Sequence, residues 1–206
     1  MIRRVISEQL AHPSGVIGCY LLPLLWNKHN RALNDFTLPR LQLQATDRVL
    51  EIGFGGGYLI RQMIEKITAG HISGVDASDV ILAHCRSRFE RSIASGILDL
   101  QQASVDALPY PDSHFSKTCS VNSLFYWPNL HQGIREIYRV LAANGLFVLT
   151  FTSKQDLDKR GFSAQAVHSF EDQEVADALH EEGFRKVLLE HGADEHRKFS
   201  AVTGRK

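Results

Sequence analysis

From Arg48 onward the chain alternates short apolar runs with longer segments whose apolar residues recur at helical spacing. "RVLEIG" reads as a buried strand. "YLIRQMIEKIT" reads as a helix with Leu59, Ile60, Met63, Ile64 and Ile67 at that spacing, and Gly70 follows as its stop. "HISGVDAS" predicts a second strand ending in an acid, and Ser78 is placed to cap a helix over "DVILAHCRSRFERSI". "GILDLQQAS" gives a third strand and "FSKTCSVNSLFYW" a fourth. "LHQGIREIYRVLAANG" is a helix with Gly145 past its end, and "LFVLTFTS" a fifth strand. The last part reads differently. A helix over "EDQEVADALHEEGF", ending near Gly183, precedes "KVLLE" and "KFSAVTG". Two strands with no helix between them close as an antiparallel hairpin at one sheet edge.

Strand–helix–strand repetition builds a parallel sheet with helices on both faces. Such sheets bury both faces, in keeping with the near-continuous apolar run "LFVLTF". The expected fold is therefore α/β: one compact domain with a mostly parallel, seven-stranded sheet and an antiparallel C-terminal hairpin. Residues 1–46, mainly helical and apolar in pattern, read as a cap or lid on a core formed by residues 47–206. The polar stretch Lys154 to Phe170 also stands outside the alternation. Ligands of open parallel sheets bind beyond the carboxyl ends of the strands, so these two segments are the ones that could fold over the site.

Composition narrows the function. The 206 residues are 44% hydrophobic, enough for the core of one domain. Twenty-three basic residues balance 23 acidic ones, which leaves no electrostatic footprint for a nucleic acid and suits a small or neutral substrate. Cys19, Cys85 and Cys119 are widely spaced without a CxxC pair, and the ten histidines show no HExxH. Neither a disulfide framework nor a metal site is expected. Met1 to Ala11 is charged where a signal peptide would be apolar, and the longest apolar run, Gly15 to Trp26, is shorter than the ~20 residues that cross a bilayer. A cytoplasmic protein without stable membrane insertion is expected.

The chemistry starts at "GFGGGY". Gly53, Gly55, Gly56 and Gly57 follow a strand and precede a helix, where missing side chains allow a tight turn and close approach of a ligand. The dinucleotide fingerprint GxGxxG would need glycine at Tyr58, and no Gly-Lys-Ser/Thr of a P-loop follows. The spacing Glu51-x-Gly53-x-Gly55-x-Gly57 instead resembles motif I of the class I S-adenosylmethionine (SAM)-dependent methyltransferases. The resemblance, of the ubiquinone/menaquinone-biosynthesis-like kind, runs from about Thr46 to Gly204. Each motif alone is weak, and their joint order carries the likeness. The resemblance implies a Rossmann-like methyltransferase fold, SAM as cofactor with S-adenosylhomocysteine as product, and roles for particular residues. Glu51, Gly53, Gly55 and Gly57 would meet the cofactor at the first loop. Asp76, with Ala77 after it, would accept from the ribose hydroxyls. Val105, Asp106 and Ala107 would flank the adenine, the acid accepting from its exocyclic amine, and Asn122 would stand beside the methionine part. Two departures are visible. Ala143-Asn144-Gly145 replaces Pro-Gly-Gly, with Asn144 able to take the left-handed turn, and Ser116 stands where an acid opens the fourth strand.

In-line transfer to a small-molecule acceptor asks mainly for positioning, and some acceptors also need a base. Tyr58, Tyr126, Trp127 and His131 are near the expected edge. Tyr126 and Trp127 are expected to wall the pocket, and His131 to lie on a helix surface. In the N-terminal segment, Tyr20 and Trp26 are the candidate wall residues of an apolar acceptor pocket. Rival readings are a SAM-binding module without catalysis and, disfavoured by Tyr58, a nicotinamide-dependent oxidoreductase. The acceptor, the atom methylated and the oligomeric state are not legible in the sequence.

Overall fold

The computed structural model describes residues 29–159 and 168–206. Tyr20, Trp26 and Cys19 lie outside the described residues. The elements run α1 (Arg31–Arg40), β1 (Arg48–Ile52), α2 (Tyr58–Ile64), β2 (His71–Asp76), α3 (Asp79–Arg88), α4 (Glu90–Ala94) and β3 (Leu98–Gln102). They continue with β4 (Phe115–Val121), α5 (Leu130–Val140), β5 (Leu141–Thr152), α6 (Lys154–Lys159), α7 (Asp172–Glu181), β6 (Arg185–Ala193) and β7 (Lys198–Arg205). All seven strands form one sheet in the order β3-β2-β1-β4-β5-β7-β6. β1 to β5 pair in parallel, and β7 pairs antiparallel to both β5 and β6. The expected C-terminal hairpin is present, with its second strand inside and β6 at the edge.

The strand alternation sorts the core into two layers. Leu50 and Ile52 join Ile134 and Ile137 of α5 and Val175 and Leu179 of α7 on one face. Val49 joins Leu33 of α1, Ile60 and Met63 of α2, and Ile81 and Cys85 of α3 on the other. α1 is thus part of the second layer, with Leu33 and Leu41 fully buried and Thr37 Oγ1 bonded to Thr150 Oγ1 at 2.7 Å.

Three boundaries differ from the sequence pattern. α5 stops at Val140, because Leu141 turns extended and pairs with Phe115. Ala142 to Gly145 therefore belong to β5, and Asn144 takes the left-handed conformation at φ 64°. The helix after β2 breaks at Phe89, whose ring is buried under the glycine loop. α2 ends at Ile64, so Gly70 is no helix stop. A Cβ there would lie 2.0 Å from the Asp47 carbonyl oxygen, so the residue serves close backbone approach. Ser116 donates to Asp47 Oδ1 at 2.7 Å and accepts from the Arg48 N–H at 3.1 Å, so Asp47 supplies an acid beside the position where the family carries one.

At the carboxyl edge of the sheet the β6–β7 turn is locked by Arg197, 6% exposed. Its guanidinium donates to Thr152 Oγ1 at 3.2 Å, to Asn30 Oδ1 at 3.1 Å and to the His29 carbonyl, and its Nε lies 3.6 Å from Asp194. Removing one partner of a buried charged cluster leaves the others unpaired. Arg197→Ala should lower the stability of the chain by roughly 2–4 kcal/mol in urea unfolding. An unchanged midpoint would show that the turn and residue 30 are held by packing alone.

Candidate functional site

The carboxyl ends of β1, β2 and β4 meet where the strand order reverses, and the glycine loop lies there. Gly53 continues the ladder by donating to the Val75 carbonyl at 2.8 Å, and then turns at φ 72°. A Cβ on Gly53 would stand 2.5 Å from Ser123 Cβ, and one on Gly57, at φ 71°, 2.5 Å from the Phe89 ring. Both the backbone conformation and the space demand glycine. The Gly55 N–H donates to Asp76 Oδ2 at 3.0 Å, and the Ser78 N–H to Asp76 Oδ1 at 3.0 Å. Asp76 is thereby fixed at the end of β2, half-buried, each oxygen keeping a further lone pair. Ser78 also caps α3 by accepting from the Ile81 N–H at 3.3 Å.

Glu51 lies beneath the loop on the α2 side, in register with Gly74 and Cys119 of the neighbouring strands. It is 2% exposed, and its Oε2 has no hydrogen-bond partner among the described residues. Burial, and then the Asp76 charge, push its carboxyl up to about 8, against a small opposing effect of the Ile60 N–H. Burial also raises Asp76, while the Gly55 and Ser78 N–H groups pull it back. Cys85 donates from Sγ to the Gly55 carbonyl at 3.2 Å, and burial pushes its thiol up to about 12, which leaves it a packed, un-ionised group.

The other sequence-predicted residues divide. Asn122, at the end of β4 with φ 57°, accepts on Oδ1 from Thr152 Oγ1 at 2.8 Å and donates from Nδ2 to Asn30 Oδ1 at 2.9 Å. Val105 is buried, Asp106 half-buried, and Ala77 and Ala107 are exposed. Tyr126 is 38% exposed, but Trp127 is 3% exposed, packs in the first core layer and donates to Ser123 Oγ at 3.1 Å. Its ring is core, because Gly133 of α5 opens a seat for it. His131 lies 3.6 Å from Glu182 on the α5–α7 surface. Tyr58 donates to Asp35 at 3.1 Å, and burial and that bond hold its hydroxyl protonated. Sequence reasoning missed Arg197, Asn30 and Ser123. Asn30 and Arg197 are 167 residues apart, so no local pattern joins them. Among the described residues, no group of three or more His, Cys, Asp or Glu is placed to hold a metal ion, and no helix is long and apolar enough to cross a membrane.

A glycine turn over a buried acid, with a second acid closing the next strand of the sheet, is the arrangement that the resemblance to the SAM-dependent methyltransferases implies. Residues 50–149 match the family described as a methyltransferase domain. YdaC of Bacillus subtilis (strain 168), an uncharacterized methyltransferase, is 32% identical over 148 residues, 72% of this chain and 77% of that protein. The 2-methyl-6-phytyl-1,4-hydroquinone methyltransferase 1 of Oryza sativa subsp. japonica is 28% identical over 102 residues, 50% of this chain and 30% of that one. A SAM-dependent methyltransferase from Aquifex aeolicus has the same fold, with a TM-score of 0.70 over 89% of this chain and 97% of that chain at 16% identity. The chain belongs to the class I SAM-dependent methyltransferases; it is an enzyme of that family and its cofactor is SAM.

The buried Glu51 predicts a pH dependence of stability. Its carboxyl rises from 4.5 to about 8 on folding, so the folded chain holds that proton more tightly. The stabilisation is full below pH ~4.5 and is lost as pH rises through about 8, at up to about 1.4 kcal/mol per unit. Glu51→Gln should flatten this part of the profile, measured as the difference between variant and wild type in urea unfolding at pH 5 and pH 8.5. A constant difference would mean that Glu51 ionises in the fold without penalty.

Proposed function

We propose that the chain transfers the methyl group of SAM to a small-molecule acceptor at the carboxyl edge of the sheet. The observation that carries the reading is the cradle itself: a side-chain-free turn above a buried carboxyl oxygen that lacks a partner among the described residues, one strand from an acid with spare lone pairs. These residues fit SAM. Gly53, Gly55 and Gly57 would lie against its amino-acid end with Glu51 below, and Asn122 would stand beside the methionine part. Asp76 and Ala77 would take the ribose, and Val105, Asp106 and Ala107 the adenine. Bound SAM supplies an electrophilic methyl on a sulfonium, so the protein's own work is to orient and to exclude water.

The acceptor would approach over the ends of β4 and β5, past the exposed Tyr126. Asn122 and Thr152 bond each other there, and the guanidinium of Arg197, which donates to Thr152, faces Asp194, so the charge beside this floor is matched, which suits a neutral acceptor. Residue 30 is tied to that floor through Asn122 and Arg197. The helix Arg31–Arg40 of the expected cap is part of the core layer, so in this reading the cover is the segment before residue 29, with Tyr20 and Trp26 as wall residues of the acceptor pocket. The balanced charge of the chain and the hydroquinone named for the rice relative support a small-molecule acceptor over a polyanion.

Calorimetric titration with SAM and S-adenosylhomocysteine tests the reading, followed by a screen of phenols, quinols and amines for S-adenosylhomocysteine release. Micromolar binding of both ligands is expected, with Asp76→Ala weakening SAM by about 1–3 kcal/mol, the value of hydrogen bonds to a charged group. No binding by folded protein would overturn the site, unchanged affinity in Asp76→Ala would displace the ribose from that acid, and binding without turnover on any acceptor would favour a non-catalytic SAM-binding module.

A further inference from the structure

The segment after β3 carries Val105, Asp106 and Ala107, and its backbone joins no sheet ladder. Inside it, only the Ala107 N–H to Ser104 carbonyl bond, at 3.2 Å, and the Tyr110 N–H to Leu108 carbonyl bond, at 2.9 Å, hold its shape. The rest of its backbone must find partners elsewhere. They come from one face of α5, where Gln132, Glu136 and Arg139 follow at i, i+4 and i+7.

Gln132 Nε2 donates to the Asp106 carbonyl at 3.3 Å. The Leu108 N–H donates to Glu136 Oε2 at 2.9 Å, and Arg139 Nη2 donates to the Leu108 carbonyl at 3.0 Å. Arg139 Nη1 reaches the Tyr110 carbonyl at 2.7 Å and Asp112 Oδ1 at 2.9 Å. Glu136 and Arg139 hold each other through two bonds, Nε to Oε1 at 2.7 Å and Nη2 to Oε2 at 2.8 Å. Both backbone polar groups of Leu108 are therefore taken by a single ion pair. The side chains of Val105 and Leu108, each 5% exposed, anchor the loop in the core on either side of Asp106 and Ala107. Arg139 and the Leu108 N–H keep Glu136 below the ordinary carboxylate range, so the pair stays charged at neutral pH. The Asp106 carboxylate takes no part in this clamp. What the clamp fixes is the backbone on which that carboxylate stands.

We propose that Glu136 and Arg139, assisted by Gln132, are positioning residues that hold the Asp106 loop in the register needed to recognise a 6-amino purine, and so set the selectivity of the cofactor site for adenine. This rests on the reading of Asp106 as the acceptor for the exocyclic amine. A site built to hydrogen-bond an N–H group rejects an analogue lacking it only when the acceptor is accurately placed. An oxo group at the same position presents lone pairs to the Asp106 carboxylate and is repelled. A loop free to shift would lose that contrast before it lost the ring's packing contacts.

The test compares S-adenosylhomocysteine with S-inosylhomocysteine, which carries oxygen in place of the exocyclic amine and a proton on the neighbouring ring nitrogen, so that the amine's hydrogen bond is lost and its position becomes an acceptor. Both are titrated calorimetrically into wild type, Glu136→Gln, Arg139→Gln and the control Arg135→Ala. Arg135 lies on the same helix and pairs with Glu182 on the surface; its Nη1 also reaches Gln132 Oε1 at 3.4 Å, but it bonds neither Glu136 nor Arg139. Wild type and the control are expected to prefer the adenosyl ligand at least tenfold, and the two clamp variants to narrow that ratio severalfold. A clamp variant that weakens both ligands equally, with the ratio kept, would show a structural role only and overturn the proposal. If Arg139→Gln fails to fold, Glu136→Gln decides, since its amide oxygen still accepts from Leu108 while the charge holding Arg139 is gone. No preference in wild type would remove the Asp106 reading and the proposal with it. No binding of S-adenosylhomocysteine to folded wild type would overturn the cofactor site itself.

Discussion

The hydrogen bond from the Gly55 N–H to Asp76 ties the turn after β1 to the end of β2, and the site depends on it. A loop with four glycines in five positions has many conformations open to it, each costing entropy to exclude. The Asp76 carboxylate, the ladder bond from Gly53 to Val75 and the packing of Phe89 against Gly57 select one of them. The parallel register of β1 between β2 and β4 makes this possible, because it brings Ile52, Asp76 and Asn122 to the same edge. Ser123 completes the arrangement: its Oγ bonds Ser120 and Trp127 while its Cβ fills the space above Gly53. The turn is held from beside, by Asp76 and Phe89, and from above, by Ser123.

Most of the fold was legible because it is written in periodicities. The strand around Val148 is apolar on both faces, and α7 carries its buried Val175, Ala176, Ala178 and Leu179 at helical spacing. The cofactor half was legible for a different reason: glycines and strand-end acids are forced by backbone geometry and so leave a spacing. What stayed hidden depends on partners distant in sequence. Leu141 leaves α5 because Phe115 is there to pair with it, which no helical pattern in "RVLAANG" reports. Trp127, next to an exposed tyrosine, looked like a pocket wall, yet it is seated in the core by Gly133 on the following helix. The face of Gln132, Glu136 and Arg139 was not singled out by the sequence pattern. Its target, the backbone of residues 106–110, is a tertiary fact. The reach of the N-terminal segment beyond His29 lies outside the described residues, so its role remains part of the proposed function.

The electrostatics of the edge favour a cation. Burial and the Asp76 charge raise the cost of ionising Glu51, burial raises that of Asp76, and among the described residues neither acid is bonded to a lysine or arginine. Arg88, the basic side chain bonded to the loop, spends its bond on the Gly56 carbonyl and stands exposed. Bringing a positive charge to this pair lowers the cost of ionising Glu51, an effect larger at a buried site than in water. In the proposed reading that charge belongs to the sulfonium and ammonium of SAM. After transfer the sulfonium has become a neutral thioether, and the ligand carries one positive charge fewer. In that reading the same two acids would hold the product less strongly than the cofactor, and would so bias the site toward releasing what is left of it. On the acceptor side Asn122 and Thr152 are satisfied by each other, by Asn30 and by Arg197, whose charge faces Asp194. In the proposed reading, binding and discharge at this edge would thus be driven by the charge of the cofactor, and the choice of acceptor would be left to shape.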